Sequence, residues 1–304
     1  KAPYAFQPFG GVAVIADTTW TAMRGRAALD ITWEGGENAG YDSAAYREEL
    51  LATVRAPGKV VRSVGDANAA LATAARRVEA EYYVPHLSYV PMEPPVAMAR
   101  MDGGRCEIWT ATQNPQAARS EAARALGIAE KDVTVHVTLL GGAFGRKGKA
   151  DFVGEAALLA RAAGAPVRVQ WTREDDVQHD YYHMVSAQRL SAGLDAKGKV
   201  VAWLHRTAFP PIASTFAKTG WPGEGELQQG VLDVPLAVPN VRAENGEARA
   251  HVRIGWLRSV CNIHHAFAIG SFMDEIAHVR GEDPRDVMLE IFGPARKVGL
   301  AELG

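Results

Sequence analysis

Cysteine is almost missing: Cys106 and Cys261 are the only two in 304 residues. Two thiols cannot build a disulfide framework. With no Cys-x-x-Cys, they cannot ligate an iron–sulfur cluster or a structural zinc either. They read as buried free thiols. No run of eighteen apolar residues occurs, so no helical membrane span is expected. Neither sign of charge dominates: 33 Lys and Arg stand against 35 Asp and Glu, a net charge of −2. The basic residues are scattered, which argues against nucleic acid or an anionic membrane as a partner. Internal repeats, low-complexity tracts, a Ser/His/Asp order and a nucleophile elbow are also missing.

What is present is ordinary for a globular chain, with 47% apolar and 22% charged residues. The length suits one large or two ordinary domains. The chain opens on Lys-Ala-Pro-Tyr, with no initiator Met and no signal peptide. It is expected to be a processed chain, an isolated domain or part of something longer.

The densest signal is Gly141-Gly142-Ala143-Phe144-Gly145-Arg146-Lys147. It follows an apolar run over 133–140, which reads as a buried strand, and precedes a helical pattern over 152–163. Glycines permit positive φ and close backbone approach to a ligand. Successive N–H groups there can cradle an anion or an oxo group, and Arg146 and Lys147 are expected to add charge beside it. An ordinary turn is the competing reading. The spacing matches neither the P-loop nor the dinucleotide fingerprint.

Elsewhere strands and helices alternate. Strands are expected over 12–16, 29–33, 60–64 and 78–84. Helices are expected from a cap at Asp17 or Thr18 to Ala28 (with Trp20, Met23 and Ala27 on one face), over 43–54 capped by Ser43, and over 66–75. Pro85, Pro91, Pro94 and Pro95 then force extended or turning backbone. A hairpin turns at Asp102-Gly103-Gly104. Pro115 opens a helix that Gly127 stops. Later come a strand over 167–171, an antiparallel pair over 186–195 and 200–208, and a long Pro/Gly-rich loop over 209–227. A strand over 249–254 and helices over 264–279 and from Pro284 to Phe292 complete the pattern. This favours an α/β or α+β architecture.

Several polar clusters need weighing. Gln113, between a strand and a helix, could donate its amide at a cleft mouth, or it could simply flank a helix cap beside Asn114. Glu174, Asp175, Asp176, His179 and Asp180 could hold a hard metal, supply a general base or form a solvated acidic turn. His264 and His265 are adjacent and therefore a poor chelate; one core and one surface imidazole is expected. Glu93 is a candidate buried carboxylate or a plain loop residue.

Read together, five motifs resemble the molybdenum-binding large subunit of the xanthine dehydrogenase and aldehyde oxidase family. The closest branch is that of isoquinoline 1-oxidoreductase β-subunits. They are Val90-Pro91-Met92-Glu93-Pro94, Thr112-Gln113-Asn114-Pro115-Gln116, the glycine loop, Trp171-Thr172-Arg173-Glu174-Asp175-Asp176 with Gln178-His179-Asp180, and Trp256-Leu257-Arg258-Ser259-Val260 before a helix. Their order and spacing run through most of the chain.

The resemblance implies an α+β fold with mixed sheets and packed helices, the molybdenum-hydroxylase type of cofactor-binding domain, here incomplete. It implies a lead-in region over 1–84 and the first part of the cofactor-binding region over 85–304. It also implies a bacterial oxidoreductase of the cytoplasm or periplasm acting on an aldehyde or an N-heteroaromatic. The cofactor would be molybdopterin cytosine dinucleotide. Electrons would pass to [2Fe-2S] clusters in a small-subunit partner, with a cytochrome c as a further acceptor.

By the same resemblance, Gln113 contacts an oxo ligand and Phe144 passes beside the metal with its backbone N–H. Gly141, Gly142, Ala143, Gly145 and Arg146 form the loop beside the metal, and Arg258, Ser259 and Val260 close from the other side. Three positions depart from the pattern: Ala143 replaces a glycine, Gly148 stands where the purine-oxidising members have a substrate-contacting Glu, and Gly270 stands where many relatives have Glu. The family's Gly-Glu general-base segment is missing, so the chain resembles about the middle two-fifths of a large subunit. These departures leave two alternatives: a non-catalytic assembly module of the same fold, and a stand-alone phosphate- or nucleotide-binding protein.

Overall fold

The computed structural model describes residues 5–294. The opening Lys-Ala-Pro-Tyr and residues 295–304 lie outside the described residues. In chain order the elements are α1 (Thr19–Ala27), α2 (Ser43–Arg55), β1 (Lys59–Val64), α3 (Ala67–Thr73), β2 (Arg76–Val84), β3 (Val96–Asp102) and β4 (Arg105–Thr110). Then follow α4 (Pro115–Leu126), β5 (Val133–Val137), α5 (Asp151–Ala163), β6 (Val167–Gln170), α6 (Arg173–Gln178), β7 (Ser186–Leu194) and β8 (Val200–Ala208). The last are α7 (Glu224–Leu227), β9 (Asn240–Gly246), α8 (Asn262–Arg280) and α9 (Pro284–Phe292).

The strands form two mixed sheets, ordered β1-β9-β8-β7-β2 and β5-β4-β3-β6. In the smaller sheet β4 and β5 run parallel and α4 connects them. The helices α4 and α5 cover one face of this sheet. Ala99, Ile108, Ala118, Ala122, Phe152 and Ala156 meet there without solvent. In the larger sheet, Leu190, Ala192 and Trp203 face Phe272, Met273 and Ile276 of α8. The opposite face takes Leu50 and Val54 of α2 and Leu71 of α3. A helix on each side requires apolar residues on both faces, and β7 is buried at eight of its nine positions.

Several expectations are corrected. Residues 12–16 and 29–33 form no strand and lie largely exposed. Helix α1 forms, capped by Thr18, but buries nothing; Trp20 and Met23 are exposed. Asp42, not Ser43, caps α2 through the Ala45 amide. Residues 249–254 bend without strand pairing, apart from one bridge at Ile254. The strand β9 was not expected from sequence. Its Glu244 is buried by ion pairs to Arg206 and Arg242, which lets a polar segment sit inside the sheet. A division after residue 84 cuts across the larger sheet, because β1 and β2 pair with β9 and β7.

Candidate functional site

Parallel pairing brings the carboxyl ends of β4 and β5 to the same edge, with Thr110 opposite Val137. Ligands gather at such edges, because the segments that leave them diverge and open a crevice. Leaving β4, the chain runs through Thr112 and Gln113 into α4, whose N-cap Asn114 binds the Ala117 amide. Leaving β5, it runs through the glycine loop into α5.

The two segments are tied together. The Gln113 amide N–H donates to Lys147 O at 3.1 Å, and Thr112 Oγ1 donates to the same carbonyl at 2.9 Å. The Gly145 N–H donates to Gln113 Oε1 at 2.9 Å. With Oε1 engaged, Gln113 presents Nε2 as its free donor end.

The loop itself is shaped by close approach. Glu93 N–H donates to Gly141 O at 2.9 Å, and Gly141 N–H returns a bond to Glu93 Oε2 at 3.3 Å. A Cβ on Gly141 would stand 2.5 Å from the Glu93 Cβ. Gly145 has φ +104°, and a Cβ there would stand 1.8 Å from Trp256 O. Ala143 is buried and keeps its φ negative, so its methyl is tolerated where the resembled pattern has glycine. Among the described residues, the N–H groups of Gly142, Ala143 and Phe144 have no hydrogen-bond acceptor.

A second wall meets the first from the other sheet. Arg258 N–H donates to Phe144 O at 2.8 Å. The Arg258 side chain is exposed and makes no ion pair among the described residues. Ser259 and Val260 follow at φ +73° and +45°. Among the described residues, five other than glycine have positive φ, and four of them sit here: Val90, Phe144, Ser259 and Val260. Such conformations cost about 1–3 kcal/mol each, and they gather at ligand clamps. A left-handed valine is the least expected of them.

The cations behave differently from expectation. Arg146 and Lys147 do not point at the crevice; both are buried. The Arg146 guanidinium donates to Asp151 at 2.8 and 2.9 Å and lies 3.1 Å from Asp180. Burial opposes its charge, but Asp151 and Asp180 outweigh that and hold its pKa above the usual range. Lys147 pairs with Glu93. Two buried carboxylates demand a buried cation, and this outcompetes any role at the loop surface.

The acidic stretch also disperses. Asp175 binds Arg26 and caps α6, Asp176 binds Arg173, and Asp180 accepts from Ser88, the Tyr89 amide and the Tyr181 amide. No group of three or more metal-ligating side chains occurs among the described residues. Both His264 and His265 are buried, against the expected split. His265 Nδ1 donates to Gln229 O at 2.7 Å, and Thr207 packs beside its Nε2 at 3.1 Å. His183 Nε2 donates to Val260 O at 3.1 Å, and burial pushes its pKa down to about 4. Lys149 and His183 stand outside every motif of the sequence, and the strained backbone of Val90 has no sign in the motif that it opens. Only Gly255, where a Cβ would stand 2.5 Å from Lys149 Cε, carried a usable sign.

Comparison with known proteins places the chain in a family. The family model of the molybdopterin cofactor-binding domain matches residues 53–291. A nicotinate dehydrogenase chain of Pseudomonas putida is 27% identical, covering 96% of this chain and 25% of its own length. The β-subunit of isoquinoline 1-oxidoreductase of Brevundimonas diminuta is 30% identical, covering 92% of this chain and 38% of its own length. Among solved structures, the aldehyde oxidoreductase of Desulfovibrio gigas superposes with a TM-score of 0.63 at 21% identity. That match covers 79% of this chain and 26% of that one. Quinoline 2-oxidoreductase of Pseudomonas putida 86 superposes with a TM-score of 0.63 at 24% identity, covering 80% of this chain and 33% of that one. The chain thus spans well under half the length of the curated relatives it matches, 25% of one and 38% of the other.

Proposed function

The chain belongs to the molybdopterin cofactor-binding domain family, and from that premise we propose that it forms one side of the molybdenum site of an oxidoreductase. The substrate class is an aldehyde or an N-heteroaromatic. The relatives named for nicotinate, isoquinoline and aldehyde oxidation support that choice. The cofactor is taken in its cytosine dinucleotide form, and electrons leave to iron–sulfur clusters of a partner subunit. The other segments of the site belong to the remainder of a longer large subunit or to separate chains.

One observation carries the reading. The loop 142–145, left-handed at Gly142, Phe144 and Gly145, meets the left-handed Ser259-Val260 turn, joined to it by the Arg258 N–H bond to Phe144 O. The N–H groups of Gly142, Ala143 and Phe144 and the side-chain Nε2 of Gln113 have no acceptor among the described residues. That donor set suits oxygen-rich, negatively charged groups at close range. When bound, the cofactor supplies the two-electron oxidation of a carbon centre. Gln113 Nε2 donates to an oxygen held there, and Gly145 fixes its amide in that orientation. The Gly142, Ala143 and Phe144 N–H groups hold a second polar edge. The Phe144 ring, 45% exposed, excludes water from one flank. The free Arg258 guanidinium supplies positive charge across the crevice. Gly148 leaves open space where a side chain would fit, so the absent carboxylate there disfavours purine substrates.

The test is Gln113→Ala in the complete enzyme. Removing one preorganised donor should lower turnover about a hundredfold while KM changes little. Unchanged turnover contradicts the assignment of Gln113.

A further inference from the structure

Beneath the glycine loop lies an ammonium that the proposed chemistry does not use. Lys149 is 1% exposed. Its Nζ donates to Gly145 O at 2.8 Å, to Trp256 O at 3.3 Å and to Tyr89 OH at 2.7 Å. Gly145 belongs to the first wall, Trp256 leads into the second, and Tyr89 precedes the strained Val90. One side chain therefore touches Gly145, the residue before Val90 and the start of the segment that holds Ser259 and Val260.

The pocket around it is shaped for it. The Nζ lies 4.4 Å from the centre of the Tyr89 ring, 5.9 Å from that of Phe6 and 6.0 Å from that of Trp256. Aromatic faces stabilise a cation where water cannot. At Gly255 a Cβ would stand 2.5 Å from Lys149 Cε and 2.9 Å from Nζ. A larger residue there would displace the ammonium.

We propose that Lys149 is a positioning residue: it fastens the glycine loop to the Trp256–Arg258 segment and so sets the separation of the two walls. The carbonyls of Gly145 and Trp256 point inward, where no water reaches Nζ, and a buried carbonyl without a donor is costly. Among the described residues, the direct hydrogen bond between these two walls runs from Arg258 N–H to Phe144 O. Lys149 adds a bridge from behind, with one bond to each wall. Burial, then the nearby Arg146, lower its pKa to about 7. The neutral amine still has two N–H groups for the two carbonyls and a lone pair for Tyr89, so the bridge survives either state.

The assignment of the walls to a molybdenum cofactor rests on the proposed function; the bridge itself does not. The experiment therefore has two readouts, in the complete enzyme, for Lys149→Met and Gly255→Ala. Amide hydrogen exchange should accelerate about fivefold to tenfold over 141–147 and 255–260, with β3, β4 and α5 unchanged. Retained molybdenum after gel filtration should fall below half of the wild-type value. Unchanged exchange in both variants overturns the bridge, and so does uniform acceleration across the whole domain. If Lys149→Met does not accumulate, Gly255→Ala decides alone, because it keeps the lysine and only moves it. A wild-type enzyme without molybdenum refutes the cofactor reading and leaves the exchange result to judge Lys149.

Discussion

At the scale of the residue, the site depends on backbone that only certain side chains permit. Gly145 is the sharpest case. Its φ of +104° disfavours any side chain, and a Cβ would collide with Trp256 O at 1.8 Å. Gly145→Ala should cost about 2 kcal/mol or more, through strain and the parting of the two walls. A urea-unfolding midpoint indistinguishable from wild type would contradict that. The glycine loop and Gln113 stand out in the sequence because glycine clusters and an amide at a strand end carry chemical meaning on their own; Arg258 stands out only through the family resemblance. The inward turn of Arg146 does not stand out. Its direction is set by Asp151, in the same segment, and by Asp180, which comes from a distant one. Val90, Ser259 and Val260 were equally hidden as strained positions, since nothing local in a valine predicts left-handed backbone.

At the scale of the element, capped helices were the easiest to read. Asn114 with Pro115, the closing Gly127, and Gly164 after α5 announce boundaries that the structure keeps. Strands were harder. Residues 12–16 are an unbroken apolar run that reads as a strand yet pair with nothing among the described residues, because pairing needs a neighbouring edge that local pattern cannot supply. The strand β9 escaped for the opposite reason: its buried Glu244 is neutralised by Arg206 of the neighbouring β8 together with Arg242 of β9 itself. Burial separates the helices just as sharply. Phe272 of α8 is fully buried against Trp203, with ring centres 5.2 Å apart. Phe272→Ala should cost about 3–5 kcal/mol. Trp20→Ala, in the unburied α1, should stay within about 0.5 kcal/mol. Denaturant titration of both variants checks the contrast, and equal losses would refute the described packing.

At the scale of the whole molecule, two sheets with separate cores each deliver one wall, and the crevice lies between their edges. That joining was legible only as an order of motifs, because pairing of β1 and β2 with β9 and β7 spans most of the chain. The buried imidazoles behind the second wall give a global signature. Burial lowers His183 and His265 to about 4 and His205 to about 3, and holds His264 well below its usual value. Below pH 6.5 the unfolded chain takes up these protons and the folded chain does not, so stability is lost as pH falls toward 4. Glu155, raised to about 7, and Asp176, raised to about 6, act in the opposite sense. Four groups against two leave a net loss. The melting temperature should fall steadily from pH 6.5 to 4.5, and a flat or rising profile would contradict this account.

The central claim is that the crevice edge belongs to a molybdenum site. The most direct measurement is metal and nucleotide analysis of the purified, active enzyme that contains this chain. The account predicts about one molybdenum per chain together with a releasable cytidine nucleotide. An active, folded enzyme that contains neither would contradict it.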